Sequence, residues 1–247
     1  MDFSHRFVDF EGAYNVRDLG GVPTADGATV RTGRVFRADS PRTLSSGDRD
    51  LVVGLDVRLV VDLRSGRESE EGSWAVAEHM ERRVFPVIDP AELDPEAMRT
   101  HIDEAGFADR YLRRLQVSGP ALADAARAVI RGVDGGVIFN CTAGKDRTGL
   151  LAAFLLTALG VGRDVVVADY EASTEPMRRR VADRIAELAP GDPDPRSMPV
   201  VLVEAPALVM ERTLDLADEQ LGGIVASFQS HGVTDDDLAV FRDRLLD

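Results

Sequence analysis

Hydrophobic and polar positions along the chain predict strands and helices in alternation. Val57 to Arg64 is a β-branched run that ends in polar residues, and Val137 to Phe139 is a short apolar run that follows two glycines. Both are typical of buried strands. From Thr148 to Leu159 the residues are apolar on nearly every face, which predicts a buried helix. The alternation favours an α/β fold, with a mostly parallel central sheet flanked by helices on both faces.

Further patterns place other elements along the chain. They predict a strand entered at Thr32 to Arg37, a short helix capped by Ser45 or Ser46, an edge strand over 83–87, and helices over 94–117, 120–130, 163–170, 174–188, 207–221 and onward from Thr234. Charged residues near the start, Asp18, Arg34 and Arg37, are interpreted as solvated salt bridges.

The helix over 174–188 has one apolar stripe opposite an arginine-rich face. The stripe is Met177, Val181, Ile185 and Leu188, and the arginines are Arg178, Arg179, Arg180 and Arg184. A proline-rich loop follows over 190–195. Two interpretations remain open: residues 171–200 move as a lid over the rest of the protein, or the helix packs on it permanently.

Composition sets the class of protein. The chain has 247 residues, of which 44% are hydrophobic, so we expect a single domain over 1–247 with residues 171–200 as a lid or appendage. No apolar run has the length of a signal peptide or a membrane span, which predicts a cytoplasmic protein. The net charge of -14 repels nucleic acid and anionic membranes, so we expect neither as a stable partner. Nothing in the sequence indicates an oligomeric state.

The only cysteine and the only lysine, Cys141 and Lys145, lie four residues apart. One cysteine permits neither an internal disulfide nor a cysteine-rich metal site. The four histidines are scattered without the spacing of metal ligands. We therefore expect no metal ion and no other cofactor.

Cys141 and Arg147 are separated by five residues between the predicted strand and the predicted helix, which is the spacing of a phosphate-binding loop with a nucleophile at its base. An ordinary cysteine thiol is mostly protonated at neutral pH, so a nucleophilic cysteine needs a group that favours its anion. The backbone N–H groups of residues 142–147, the positive end of the helix and the Arg147 guanidinium can all do this. The same groups can bind a phosphate dianion.

These residues predict two-step phosphoryl transfer through Cys141. Asp146, inside the loop, and Asp62, at the tip of the strand over 57–64, are alternative general acids for the leaving oxygen. Arg147 binds two phosphate oxygens, Thr148 adds a hydroxyl donor to the thiolate, and Lys145 adds charge at the pocket rim. The predicted catalytic residues are Cys141, Arg147, Asp146 and Asp62, and the predicted substrate-binding residues are Thr142, Ala143, Gly144, Lys145 and Thr148.

The Cys141-x5-Arg147-Thr148 motif resembles the signature loop of the cysteine-dependent protein-tyrosine and dual-specificity phosphatases. Longer stretches resemble the bacterial tyrosine phosphatase B type: Cys141 to Gly149, Asn15 to Gly21, Val61 to Ser65 and Gly232 to Leu238. The resemblance implies a single domain with a helical lid over a deep pocket. It also implies activity on phosphotyrosine, with phosphoserine, phosphothreonine and phosphoinositides accepted by some members.

One residue departs from that family pattern. In that family the signature loop is normally preceded by histidine, whereas this chain has Asn140, which cannot carry a charge. Asn140 therefore keeps open a catalytically weak phosphate-binding module, and the range of the family keeps open a phosphoinositide phosphatase. The expected substrate is a phosphorylated protein, a phosphoinositide or a small phosphate ester. A Walker nucleotide site is excluded because Phe139 stands where it requires glycine. A rhodanese-like sulfurtransferase is disfavoured because the resemblance there implies a shorter loop.

Overall fold

The computed structural model describes residues 3–66, 68–70, 72–90, 103–189, 192 and 194–247. The strands are β1 Arg17–Asp18, β2 Val35–Ala38, β3 Val57–Asp62, β4 Glu81–Val84 and β5 Gly136–Asn140. The helices are α1 Ser46–Gly54, α2 Glu104–Val117, α3 Gly119–Gly132, α4 Asp146–Ala158, α5 Arg163–Glu171, α6 Thr174–Ala186, α7 Val200–Val203, α8 Ala207–Leu221, α9 Ile224–Ser230 and α10 Asp235–Leu245.

The five strands form one sheet in the order β1-β2-β5-β3-β4. Only β1 runs antiparallel to its neighbour, so the prediction of a mostly parallel sheet flanked by helices is confirmed. In the register of the three central strands, Ala38 and Asp62 both pair with Asn140. These strands therefore end at one edge of the sheet, where α/β proteins bind ligands.

Central strand β5 is buried along its length because both faces of the sheet are covered. Phe139 belongs to the larger core, which includes residues of α3 and α4. The preceding residue, Ile138, points the other way into a smaller core with Val52 of α1 and Trp74. A strand buried on both faces reads as a continuous apolar run, as this one does.

Several element boundaries differ from the sequence prediction. Helix α4 begins at Asp146 rather than Thr148, and edge strand β4 is Glu81–Val84 rather than 83–87. Pairing with β3 nevertheless continues past β4, since the N–H groups of Phe85 and Val87 donate to carbonyls of Asp62 and Leu63 at 2.8 and 3.1 Å. Pro86, which has no N–H, lies between these two donors.

Two predicted segments lie partly outside the described residues: positions 94–102 of the helical pattern over 94–117, and positions 190, 191 and 193 of the proline-rich loop. The cap predicted at Ser45 is present, as is the capping box of Thr234 and Asp237. Among the described residues, none of the helices combines the length and the apolar character needed to cross a bilayer.

Candidate active site

The loop between Cys141 and α4 lies at the carboxyl edge of the sheet, in a conformation that requires glycine at one position. Gly144 has φ 65°, in the left-handed region. A Cβ at this position would lie 2.6 Å from the backbone nitrogen of Asp39, so a side chain is excluded by sterics as well. The glycine lets the loop turn tightly against the end of β2.

Two carbonyl groups of the loop, those of Ala143 and Gly144, accept hydrogen bonds from two buried side chains. The Asn15 amide donates to the carbonyls of Ala143 and Gly144 at 3.2 and 3.1 Å, and Arg37 Nη2 donates to the Gly144 carbonyl at 2.8 Å. In a trans peptide, the N–H of the next residue points opposite to the carbonyl. Among the described residues, the N–H groups of residues 142–147 have no acceptor, so they remain available to an anion.

Cys141 lies at the base of this loop with 2% of its surface exposed. The preceding Asn140 is buried, and its side-chain amide donates to the Cys141 carbonyl at 3.4 Å. Thr148, predicted to donate to the thiolate, is fully buried, and its hydroxyl is not bonded to Cys141 in this structure; within the described part of the chain it has no hydrogen-bond partner. The sulfur, the asparagine and this hydroxyl all lie near the junction of β5 and α4.

Arg147 is held by Glu68, a residue for which the sequence predicted no role. Arg147 Nη1 and Nη2 donate to the two oxygens of Glu68 at 2.9 and 2.7 Å, and further to the Leu63 carbonyl at 3.5 Å and the Thr142 hydroxyl at 3.1 Å. Hydrogen bonds from Arg147 hold the pKa of Glu68 well below its usual range. Burial acts to lower the pKa of Arg147, but its bond to Glu68 and the charge of Cys141 outweigh burial and raise it.

Asp146 is the first residue of α4 and is partly exposed, with 28% of its side chain accessible. The Tyr111 hydroxyl donates to Asp146 Oδ1 at 2.5 Å, and Lys145 Nζ is 3.5 Å from the same oxygen. Burial acts to raise the pKa of Asp146, but the charges of Lys145 and Arg114 outweigh it and lower the pKa. The carboxylate is therefore next to the loop and in contact with solvent.

Asp62 pairs with Asn140 in the sheet but is enclosed by two arginines. Arg64 donates to both of its oxygens at 2.9 and 2.8 Å, and Arg82 donates to one at 2.7 Å. Burial acts to raise the pKa of Asp62, but these bonds and charges lower it. With 1% of its surface exposed and both oxygens bonded, Asp62 orients the two arginines. This geometry weighs against a role as general acid.

Lys145 was predicted at the rim of the pocket, and this prediction is wrong. The residue is 2% exposed, and its ammonium group donates to the carbonyls of Val201 and Glu204 at 2.7 and 3.1 Å. It also lies 5.5 Å from the centre of the Phe107 ring. The Lys145 ammonium group therefore caps the carboxyl end of α7, because the last carbonyls of a helix have no partner within the helix.

Two further residues near the loop were assigned wrongly or missed. Arg37, interpreted as part of a solvated salt bridge, is fully buried. The signal for this was its place inside the apolar run from Val35 to Ala38. Asp39 is also buried, and accepts from the N–H groups of Tyr14 and Asn15. Burial raises the pKa of Asp39 to about 6.

Helix α6 covers the loop through polar contacts. Arg180 donates to the Thr142 carbonyl at 2.9 Å, and Asp183 accepts from the Tyr14 hydroxyl at 2.7 Å. Of the predicted apolar stripe on α6, only Met177 is fully buried, together with Pro176. Under the helix lies a pocket of about 270 Å³ whose lining is Ser40, Pro41, Arg42, Arg64, Glu68, Gly72, Thr142 and Arg180. A larger groove of about 450 Å³, between the start of the chain and α5 and α6, includes none of the loop residues.

Comparisons with known proteins agree with the loop geometry. Residues 8–247 match the model of the tyrosine phosphatase family. The triple specificity protein phosphatase PtpB of Mycobacterium tuberculosis is 31% identical over 219 residues, which cover 74% of this chain and 77% of that protein. A Cupriavidus necator protein named for tyrosine-protein phosphatase activity is 33% identical over 170 residues, 67% of this chain.

The chain spans 62% of the length of the Cupriavidus necator protein. It spans 58% of a tyrosine-protein phosphatase of Nostoc commune, at 28% identity over 70% of this chain. Among solved structures, P. aeruginosa TpbA aligns with 77% of this chain and 90% of its own, at 17% identity and a TM-score of 0.33. A likeness at that score is too weak to support a conclusion.

Proposed function

Because this chain belongs to the tyrosine phosphatase family, we propose that it hydrolyses phosphate monoesters, with phosphotyrosine as its main substrate and Cys141 as its nucleophile. The observation that carries the proposal is that the backbone N–H groups of residues 142–147, between Cys141 and Arg147, have no acceptor among the described residues. Free N–H groups in a loop that opens a helix can bind the oxygens of a phosphoryl group.

In the first step the Cys141 sulfur attacks phosphorus, and a phosphorus–sulfur bond forms as the bond to the leaving oxygen breaks. The loop amides and Arg147 stabilise the charge on the equatorial oxygens. The leaving oxygen takes a proton from a general acid. We assign this role to Asp146, because it is partly exposed beside the loop, whereas both oxygens of Asp62 are bonded to arginines. The pKa of Asp146 is lowered in the free protein, and the negative charge of a bound phosphate ester raises it toward the protonated form that an acid requires.

In the second step a water molecule attacks the cysteinyl phosphate. Asp146, now ionised, accepts a proton from this water. The phosphorus–sulfur bond breaks, inorganic phosphate leaves, and the Cys141 thiolate is restored. No metal or cofactor is required by this sequence of steps. A reducing compartment such as the cytoplasm, which we propose as the location, keeps the lone cysteine as a thiol.

We also propose that residues 171–200 act as a lid on a single phosphatase domain. Cys141 is only 2% exposed, so movement of a covering element would widen access to its sulfur. Helix α6 is the element above the loop, and Arg180 joins it to Thr142 by one hydrogen bond. Since few apolar side chains of α6 are buried, lifting it exposes little apolar surface.

The test of the enzyme proposal compares the native protein with Cys141→Ser on p-nitrophenyl phosphate and a phosphotyrosine peptide. We expect turnover by the native protein over mildly acidic to neutral pH, and no turnover by Cys141→Ser, which should still bind phosphate through the loop amides. A native rate no higher than that of Cys141→Ser would refute the proposal and favour a phosphate-binding module.

The substrate class is tested with a panel of phosphotyrosine peptide, phosphoserine peptide and phosphoinositides. Three arginines, Arg42, Arg64 and Arg180, line the small pocket and suit a phosphorylated side chain. We expect the highest kcat/KM for the phosphotyrosine peptide. A higher value for phosphoinositides would assign the protein to lipid substrates instead.

A further inference from the structure

A cluster of three arginines and one aspartate lies beneath the candidate active-site loop. Asp169 of α5 is 1% exposed and accepts from Arg6 at 2.8 Å, Arg17 at 3.2 Å and Arg37 at 2.5 Å. These three arginines are also buried. Charged side chains are almost never buried unless each is paired, so the arrangement is costly and calls for a reason.

The cluster does not balance its own charge. Within the described ranges, Asp169 is the only acidic side chain within 4.0 Å of the guanidinium groups of Arg6, Arg17 and Arg37. Burial and the charge of Arg37 lower the pKa of Arg17 to about 9, which shows the repulsion among these cations. Arg37 Nε and Arg6 Nη1 are buried and have no partner in the described part of the chain.

Two bridges connect this cluster to the loop. Arg37 donates directly to the Gly144 carbonyl at 2.8 Å. Arg17 donates to the side-chain oxygen of Asn15, and the Asn15 amide donates in turn to the carbonyls of Ala143 and Gly144. The Asn15 bridge therefore fixes the carbonyls of Ala143 and Gly144, and the Arg37 bridge fixes the Gly144 carbonyl a second time.

Fixing these carbonyls has a consequence for the opposite side of the loop. The peptides after Ala143 and Gly144 present their N–H groups to the pocket, because the carbonyl and the following N–H point in opposite directions. Any rotation of these peptides would replace two donors by two acceptors, which repel an anion. The uncompensated positive charge beneath them favours an anion in the loop as well.

We propose that Arg37 and the Asn15–Arg17 pair, all oriented by Asp169, are positioning residues that hold the loop in its anion-binding conformation. This inference rests on the proposed function in taking the anions to be the Cys141 thiolate and the bound phosphate. It also accounts for Asn140. A neutral residue before the cysteine is sufficient when a buried cationic cluster supports the loop from below.

The test uses two alkylating reagents on Cys141, which is the only cysteine in the chain. Iodoacetate is an anion and iodoacetamide is neutral, and in both reactions the thiolate forms a carbon–sulfur bond as iodide leaves. The ratio of the two rates reports anion binding by the loop, while access to the sulfur and its ionisation affect both reagents. The two alkylation rates are measured at mildly acidic pH. Their ratio can be obtained whether or not the protein hydrolyses a phosphate ester.

We expect the native ratio to exceed that of free cysteine, and Arg37→Gln to lower it by about tenfold. Asn15→Ala should lower it as well; this variant keeps all three ion pairs of Asp169 and decides the matter if Arg37→Gln fails to fold. Arg37→Lys, which keeps the charge and one donor group, should recover part of the ratio. Arg34→Gln is the matched control, since Arg34 is exposed beside the same strand.

The proposal is overturned if folded Arg37→Gln and Asn15→Ala keep ratios within about twofold of the native value, or if the native ratio equals that of free cysteine. Circular dichroism and thermal unfolding establish that each variant is folded. Failure of the proposed function gives a different result. A native protein with a high ratio, lost in the variants, but with no turnover of any phosphate ester would refute the enzyme and leave this inference standing.

Discussion

The pairing of Arg147 with Glu68 decides how a phosphate can bind at this site. The four N–H bonds on the two Nη atoms of Arg147 are directed at Glu68, Leu63 and Thr142. Its Nε–H has no partner in the described residues. A phosphate that takes two donors must therefore use Nε and displace one of the weaker Nη contacts. Glu68 thus fixes the plane of the guanidinium and, among the described residues, leaves its Nε–H without an acceptor.

Replacing Glu68 by glutamine tests this orienting role. Glu68→Gln removes the charge that holds Arg147, so we expect kcat/KM for a phosphotyrosine peptide to fall about tenfold. The matched control is Glu70→Gln, which changes an exposed glutamate on the same turn and should leave kcat/KM unchanged. An unchanged or higher kcat/KM in Glu68→Gln would mean that Glu68 competes with the substrate for Arg147 rather than orienting it.

Asp146 and Asp62 are distinguished by comparing their asparagine variants in activity and in stability. A general acid must be protonated when the leaving oxygen departs, so Asp146→Asn should lower kcat by about 10²-fold or more and remove the fall in rate toward higher pH. The effect should be smaller with p-nitrophenyl phosphate, whose leaving group needs less protonation. The free energy of unfolding should fall less than in Asp62→Asn, because the Asp146 side chain is 28% exposed and lies 3.5 Å from its one paired cation among the described residues, Lys145.

Asp62→Asn should behave in the opposite way. The change leaves Arg64 and Arg82 without their shared carboxylate, and breaking a buried charge pair costs about 3–5 kcal/mol of unfolding free energy. The pH dependence of turnover should keep its shape. If Asp62→Asn instead lost that dependence while Asp146→Asn kept it, the assignment of the acid would be reversed.

At the scale of elements, the strand, loop and helix around Cys141 could be predicted because the signal is local. An apolar strand, a glycine and a polar helix start lie within one stretch of sequence, and β5, the left-handed Gly144 and α4 occur where that stretch places them. The partners of the loop side chains are not local. Lys145 is buried by α7, which begins 55 residues later, and nothing in the spacing of single residues indicates such a contact.

The same limit explains the wrong assignment of Arg37. Arg17, Arg37 and Asp169 are separated by long stretches of chain and meet only because α5 packs beneath the loop. A charged residue in a short strand is usually at the surface, and this tendency favoured a solvated Arg37 despite the apolar residues on both sides of it. Helix α6 shows the converse. Its regular stripe of apolar residues predicts packing, but most of that stripe is only partly buried.

Helix α6 is held to the rest of the protein mainly by side-chain hydrogen bonds, so we expect it to open more readily than α4. Amide hydrogen exchange measured by mass spectrometry should be at least about tenfold faster in α6 than in α4, because local opening of α6 exposes little apolar surface. Arg180→Gln, which loses the bond to Thr142, should accelerate exchange in α6 further.

The control for this experiment is Arg184→Gln, on the same helix, whose one ion pair among the described residues is with Asp192, at 3.7 Å. Exchange in α6 should be the same in this variant as in the native protein. Equal protection of α6 and α4 in the native protein would show that α6 is packed permanently and would contradict a lid.

For the whole molecule, the buried and half-buried carboxylates make opposing contributions to stability as pH changes. Asp169 and Glu68 have pKa values lowered in the folded state, Asp169 because the charges of Arg17 and Arg37 outweigh its burial. Such groups contribute stability above their unfolded pKa, near 4, and the contribution is lost as pH falls through the folded pKa. We therefore expect the loss of stability in acid to begin below about pH 4.

Asp39 acts in the other direction. Burial raises its folded pKa from 3.8 to about 6, so its ionisation opposes folding above about pH 6, by about 3 kcal/mol, and this penalty is relieved as pH falls toward 4. We predict that urea unfolding of the native protein shows a higher free energy at pH 5 than at pH 7.5. Asp39→Asn should lose most of this rise, because its side-chain oxygen still accepts from the Tyr14 and Asn15 amides without ionising.

The fall in net negative charge on acidification also raises stability, since the chain carries a charge of -14 at neutral pH. Asp50→Asn separates this general effect from that of Asp39. Asp50 is exposed on α1, so its replacement changes the net charge equally without removing a buried carboxyl. The difference in slope between the two variants measures Asp39 alone. If both variants keep the native slope between pH 7.5 and 5, the buried carboxyl is not the group that titrates, and the rise belongs to the surface charge.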